Sequence, residues 1–74
     1  MKTTKRLIVT YPGNLYPAAD AFIEKCVGAE ADGAGIGMGE RDMEFTVPAS
    51  LAETLRTRLQ DLAKAIPGIV VEVE

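Results

Sequence analysis

The alternation of apolar and polar positions divides the chain into segments with the periods of strands and helices. Residues 6–11 are rich in β-branched and aromatic side chains, and Pro-Gly-Asn at 12–14 interrupts them, which predicts a strand followed by a turn. Residues 33–47 have a period of two, broken by a turn at 39–41, which predicts a β-hairpin with one apolar face. Residues 69–74 predict a last strand.

Two other segments have the spacing of amphipathic helices. In the first, Asn14 is the predicted N-cap and Gly28 the terminator. In the second, Ser50 and Glu53 have the spacing of a capping box, and Pro-Gly at 67–68 ends the helix. The predicted buried stripe of the first helix is Leu15, Ala19, Phe22 and Cys26. The predicted buried stripe of the second is Leu51, Leu55, Leu59, Leu62 and Ile66.

The resulting element order is βαββαβ, with two strand–helix–strand halves of similar length. This order predicts an α+β fold of the ferredoxin-like type, a two-layer sandwich of two helices on a four-stranded antiparallel sheet. Right-handed crossovers place the strands in the spatial order 4-1-3-2 and put both helices on one face. Residues 1–74 are predicted to form a single ferredoxin-like domain.

The same alternation predicts which side chains lie on each face of the sheet. On the face without helices, Arg6 is expected near Glu74 and Glu44. Thr10 is expected near Asp42 and Val70. The full set predicted for this face is Arg6, Ile8, Thr10, Asp42, Glu44, Thr46, Val70, Glu72 and Glu74. The set predicted to lie under the helices is Leu7, Val9, Ile36, Met38, Met43, Phe45, Val47, Val71 and Val73.

The glycine row, which consists of Gly33, Gly35 and Gly37, is the most unusual feature of the pattern. It lies on the outer face of a predicted edge strand, where glycine often marks the close approach of another backbone or a ligand. One interpretation is a docking edge for a partner chain or for a second copy. The other is a twisted edge that avoids aggregation, or a flexible loop. On the first interpretation, the partner-binding residues are Gly33, Gly35, Gly37, Gly39, Glu40 and Arg41.

Charge and length exclude several classes of partner. Acidic residues outnumber basic ones by eleven to eight, for a net charge of −3, whereas nucleic-acid binding depends on Lys and Arg at the phosphates. The open face also lacks the aromatic side chains on which RNA-binding sheets stack bases. Apolar runs are far shorter than the roughly 20 residues that span a bilayer. With no signal peptide at its start, the chain is expected to be cytoplasmic.

The residue types that carry catalysis are scarce, so we expect no enzymatic activity. The chain has no histidine, which is the usual general base near neutral pH and a common metal ligand. The single cysteine, Cys26, falls on the predicted buried stripe, where a thiol is typically inert. Asp42 and Glu44 share a sheet face, but acid–base work requires a concave site that excludes water. No cofactor and no metal site is predicted.

The two ends of the chain resemble the ACT regulatory domains. The resemblance depends on Pro12-Gly13-x-Leu15 after the first strand and on Ile-Pro-Gly-Ile-Val at 66–70 before the last. It implies the same fold, pairing through sheets or helices, and a site for a small effector such as an amino acid beside the first loop. Gly13, Asn14 and Leu15 would line that site. The glycine-rich hairpin is not part of the ACT pattern.

Two functional hypotheses follow from the sequence. The first is a small non-enzymatic protein-interaction module, such as an adaptor, an immunity-type protein or a phage-encoded inhibitor, that docks on a partner or forms a homodimer. It would bind through the glycine edge or the open face of the sheet. The alternative is an ACT-like regulatory domain that binds a small effector at Gly13, Asn14 and Leu15.

Overall fold

The computed structural model describes residues 3–74 and has the predicted architecture. Its sheet is four-stranded and antiparallel, with strands in the order β2-β3-β1-β4, which is the predicted order read from the other edge. The ferredoxin-like α+β fold is therefore confirmed. The strands are β1 (Thr4–Pro12), β2 (Gly33–Gly37), β3 (Glu40–Pro48) and β4 (Val70–Val73), and the helices are α1 (Ala18–Val27) and α2 (Ala49–Gln60). Short 3-10 turns occupy Gly13–Leu15 and Asp61–Lys64.

The core lies between the helices and one face of the sheet. Odd-numbered residues of β1 and β3 pair across the central ladder, as Leu7 does with Phe45 and Val9 with Met43, and these side chains are buried. Fully burying one such side chain contributes about 1.5–3 kcal/mol, so this layer supplies most of the driving force for folding. The buried residues are Leu7, Val9, Tyr11, Ala19, Ile23, Met43, Phe45, Val47, Ala52, Leu55, Leu59, Ile66, Ile69 and Val71.

Helix α1 begins later than predicted, and the expectation that Asn14 caps it is wrong. Asn14 lies in the preceding 3-10 turn, and the helix begins at Ala18. The residue before a proline is disfavoured in the helical region, and Tyr16, which precedes Pro17, is extended with ψ 141. The Gly28 terminator is confirmed, since its φ of 83 is left-handed and its N–H donates to the Glu24 carbonyl.

The buried stripe of α1 also differs from the predicted one. Ala19 and Ile23 are buried, whereas Phe22 is 57% exposed and Cys26 is only partly buried. Leu15 is not part of α1 but packs at the margin of the core. The helical period is as predicted, but apolar side chains form two neighbouring stripes along α1. Packing against the sheet buries the stripe that contains Ile23 and leaves Phe22 exposed.

Helix α2 has no capping box, so that prediction is wrong. It follows β3 directly, with Pro48 at the N-cap position, and the Ala49 N–H donates to the Thr3 carbonyl. Ser50 makes no capping hydrogen bond, and Glu53 accepts instead from Arg56.

The stripe of α2 is likewise shifted at its start. Leu51 is half-exposed, and Ala52 takes the buried position ahead of Leu55 and Leu59. Leu62 is partly buried and Ile66 is buried, as expected, although both lie beyond the end of α2.

The hairpin turns earlier than predicted. Its loop is Met38-Gly39, and β3 already begins at Glu40. Both loop residues have positive φ, 52 for Met38 and 80 for Gly39, as a type I′ turn requires. The helices do not cover Ile36 and Met38, contrary to expectation: Ile36 is 57% exposed and Met38 fully so, because β2 lies at the edge of the sheet.

We expect Met38→Asn to stabilise the domain by about 1 kcal/mol, because asparagine tolerates the left-handed conformation that costs other L-residues about that much. The Met38 side chain is fully exposed, so no packing is lost. Urea unfolding followed by circular dichroism measures the change. Met38→Val is the control and should destabilise, since a β-branched residue tolerates positive φ poorly. Equal stability of both variants would contradict the turn assignment.

Candidate functional site

The open face, which is the sheet face opposite the helices, carries several carboxylates. The ladder places Glu44 and Glu72 on either side of Ile8, and Asp42 beside Thr10. Glu40 lies next to Gly37 at the hairpin end. Thr10 lies between Asp42 and Val70, which confirms both of its expected neighbours.

Basic side chains do little to balance these carboxylates. Among residues 3–74, Arg6 is the basic residue on this face, and its guanidinium lies 3.9 Å from the Glu74 carboxylate. Both side chains are more than half exposed, so the pair contributes little to stability. The expected neighbour Glu74 is confirmed for Arg6. On β3, Arg6 lies opposite Thr46, and Glu44 is its diagonal neighbour. The centre of the open face is therefore negatively charged.

The carboxylates of β3 lean over the glycine row. Gly33 pairs with Glu44 and Gly35 with Asp42. The place a Cβ atom would take at Gly35 is 3.4 Å from Asp42 Oδ1, and the corresponding distance from Gly33 to Glu44 Oε2 is 3.9 Å. Because glycine has no side chain, these carboxylates extend toward the edge of the sheet without obstruction.

The free edge of β2 presents backbone groups that no strand of residues 3–74 covers. At the opposite edge of the sheet, the backbone N–H and C=O groups of Arg6 both hydrogen-bond to the backbone of Glu74. Hydrogen-bonded and non-hydrogen-bonded pairs alternate along antiparallel ladders. When this alternation is followed from Arg6 through β1 and β3, the N–H and C=O groups of the glycine row point toward β3. The N–H and C=O groups of Ala34 and Ile36 therefore point away from the sheet.

The start of β2 is held in place by Asp32. The Asp32 N–H donates to the Glu44 carbonyl at 2.8 Å, and its carboxylate accepts from the Thr46 N–H at 2.7 Å. At the other end, the Gly39 carbonyl accepts from the Gly13 N–H at 2.8 Å. The edge strand is therefore anchored at both ends, although glycine disfavours strand structure.

Arg41, a predicted partner-binding residue, lies on the helix side of the sheet rather than at a free hairpin tip. Its Nη2 donates to Asp20 Oδ2 at 2.7 Å and its Nε to Oδ1 at 3.3 Å. The two side chains are only 15% and 16% exposed. The Tyr11 hydroxyl also donates to Asp20, and the Arg41 guanidinium stacks on the Tyr16 ring, 4.4 Å from its centre. We call these four residues the Arg41 cluster.

The electrostatics of the Arg41 cluster indicate a structural role. Burial, and then the hydrogen bond to Asp20, raises the pKa of the Tyr11 hydroxyl above its usual range. The hydrogen bonds to Asp20 also raise the pKa of Arg41. The cluster fastens α1 to β1 and β3 through fully satisfied polar contacts. The sequence contained one signal for it: Arg41 has the same parity in β3 as buried Met43 and Phe45.

The loop that resembles the ACT effector site lies beside the hairpin turn. Gly13 contacts Gly39 directly, so the two regions that the sequence singled out meet at one end of the molecule. Leu15 lines a small apolar cleft of about 80 Å³, whereas pockets that hold drug-sized ligands have about 300–1,000 Å³. Asn14 is exposed. Effector binding at Gly13, Asn14 and Leu15 stays a prediction.

Within residues 3–74, no group of three or more acidic, cysteine or histidine side chains is placed to hold a metal ion. No helix in that range is long and apolar enough to cross a membrane.

Comparison with known proteins does not assign the chain to a family. A scan against protein-family models found no match, and a search of curated proteins found no significant sequence match.

We expect Asp20→Ala to destabilise the domain by about 1–3 kcal/mol, because it leaves the Tyr11 hydroxyl and the Arg41 guanidinium without their acceptor. Chemical denaturation at neutral pH measures the loss. Glu53→Ala is the control, since it removes an exposed carboxylate that also pairs with an arginine and should change stability little. A loss no larger than that of the control would show that the cluster does not hold α1 to the sheet.

Proposed function

We propose that this chain is a small non-enzymatic protein-interaction module that binds a positively charged protein through the open face and the β2 edge. The observation that carries the proposal is the position of Asp42 and Glu44. Their carboxylates extend over the glycine row toward an edge whose backbone groups pair with no strand within residues 3–74.

Charge complementarity selects the partner. Glu44 of β3 and Glu72 of β4 flank Ile8 from the two strands beside β1, so their like charges lie about 10 Å apart on the same face and repel one another. Lysine or arginine side chains of a partner would relieve this repulsion and steer the encounter. Phosphate groups of a nucleic acid, or the open face of a second copy, would increase it instead.

Adaptor, immunity-type protein and phage-encoded inhibitor are all compatible with such a module, since each acts by occupying a surface of another protein. They differ in the identity of the partner and not in the chemistry of the contact. In each case the Arg41 cluster and the core would serve as a rigid support for the binding face.

Removing charge from the open face should reduce binding. We expect Asp42→Asn, Glu44→Gln and Glu72→Gln together to lower affinity capture of the partner from a lysate at least tenfold, measured by quantitative mass spectrometry. The matched control removes the same number of carboxylates outside the open face, with Glu30→Gln, Glu53→Gln and Asp61→Asn, and should retain capture. Equal capture by the native chain and both variants would refute the proposal, as would the absence of any specifically captured protein.

We also expect Gly35→Val and Gly37→Val to leave the domain folded and to abolish binding of that partner. A Cβ atom at Gly37 meets no atom within 4 Å, and at Gly35 its three nearest atoms belong to the Asp42 carboxylate, at 3.4 Å or more. The new side chains would therefore obstruct the edge without disturbing the core. Ala63→Val is the control, because it adds the same side chain at an exposed position outside the open face and the β2 edge. Binding that survives both glycine changes would exclude the glycine row from the interface.

A further inference from the structure

The geometry of the β2 edge specifies what kind of element could occupy it. Ala34 and Ile36 direct their N–H and C=O groups outward in the alternating pattern that an additional antiparallel or parallel strand pairs with. Extended peptides bind exposed sheet edges in this way, with backbone hydrogen bonds supplying affinity and alternate side chains supplying specificity. A helix or a folded loop would leave these backbone groups unsatisfied.

On the open face, the side chains of an added strand would lie beside the glycine row. Neighbouring strands are about 4.8 Å apart, so the backbone of the added strand would lie about 10 Å from β3. Long Lys or Arg side chains can cross the glycine row, because no side chain blocks their path. They would meet the Asp42 and Glu44 carboxylates, which already lean toward the edge. Short or acidic side chains would leave those carboxylates unpaired.

On the helix face, the alternate side chains of the same strand would meet apolar surface. Ile36 is 57% exposed, and the neighbouring Ala34 and Met38 are exposed as well. Ile36 is supported from behind, since its Cδ1 lies 3.5 Å from the place of a Cβ atom at Gly13. An apolar residue of the partner would bury this surface.

We propose that the partner contributes an extended strand of alternating basic and apolar residues, which adds to β2 with its basic side chains over the glycine row. The inference rests on the proposed function and names the class of ligand. A second copy of this chain does not fit, because its own edge strand offers glycines where cations are needed.

Synthetic peptides test the alternation directly. The probe is acetyl-RVRVRV-amide, and its composition-matched control is acetyl-RRRVVV-amide, each titrated against the ¹⁵N-labelled chain by NMR. We expect the alternating peptide to bind at least tenfold more tightly and to shift the amide signals of Ala34 and Ile36. Equal affinities, or shifts confined to residues outside β2 and β3, would overturn the proposal.

Backbone pairing is tested separately. Ala34→Pro removes an outward N–H without breaking the β2–β3 ladder, and Ala34→Val keeps that N–H. We expect the proline variant to lose binding of the alternating peptide at least tenfold relative to the valine variant. A peptide N-methylated at alternate residues gives the same test without altering the protein, so loss of fold in the proline variant does not obscure the result. Undiminished binding of the N-methylated peptide in both possible registers would overturn strand addition.

These outcomes are distinguishable from failure of the proposed function. If the peptides do not discriminate but capture of the partner still depends on the open-face carboxylates, strand addition is wrong and the interaction module stands. If capture is independent of those carboxylates, the proposed function fails whatever the peptides show.

Discussion

The long antiparallel ladder between β1 and β3 is the constraint on which the rest of the structure depends. It pairs Thr4–Pro12 with Glu40–Pro48 at the centre of the sheet and so assigns every side chain of both strands to a face. From Leu7 to Tyr11 and from Met43 to Val47, odd-numbered residues enter the core, and even-numbered ones lie on the open face. A slip of one residue would place Asp42 and Glu44 under the helices, so the buried face enforces the register.

Arg41 is a charged residue on the helix side of β3, and the fold accommodates it with a dedicated partner, Asp20. A charge on the core side of β3 is tolerated only if it is paired and hydrogen-bonded, and Asp20 of α1 supplies both requirements. Tyr11 and Tyr16 complete the enclosure. The polar contacts therefore orient α1, whose short apolar stripe offers less packing than that of α2. The alternation along β3 places Arg41 on the face opposite the carboxylates of Asp42 and Glu44.

The β2 strand has a low intrinsic strand propensity, and its position at the sheet edge makes it accessible to another strand. Glycine disfavours strand structure, yet Asp32 and the contact between Gly13 and Gly39 hold the strand at both ends. An edge that is held but not covered can accept another strand with little reorganisation, which limits the entropy lost on binding. Its negative charge also opposes the edge-to-edge association of copies that an exposed strand otherwise permits.

The sequence by itself determined the element order, the strand order and the parity of β1 and β3, because these follow from local periodicity and from the handedness of crossovers. It also located the glycine row and the acidic face. Only the tertiary structure decided where α1 begins, which apolar stripe it buries and that Arg41 pairs with Asp20. Those outcomes depend on contacts between residues distant in the chain. Local signals for helix capping, such as Asn14 and the Ser50–Glu53 spacing, do not include these contacts, and packing selected other helix starts. The tilt of Asp42 and Glu44 over the edge was decided in the same way, since it requires the glycine row to lie beside them.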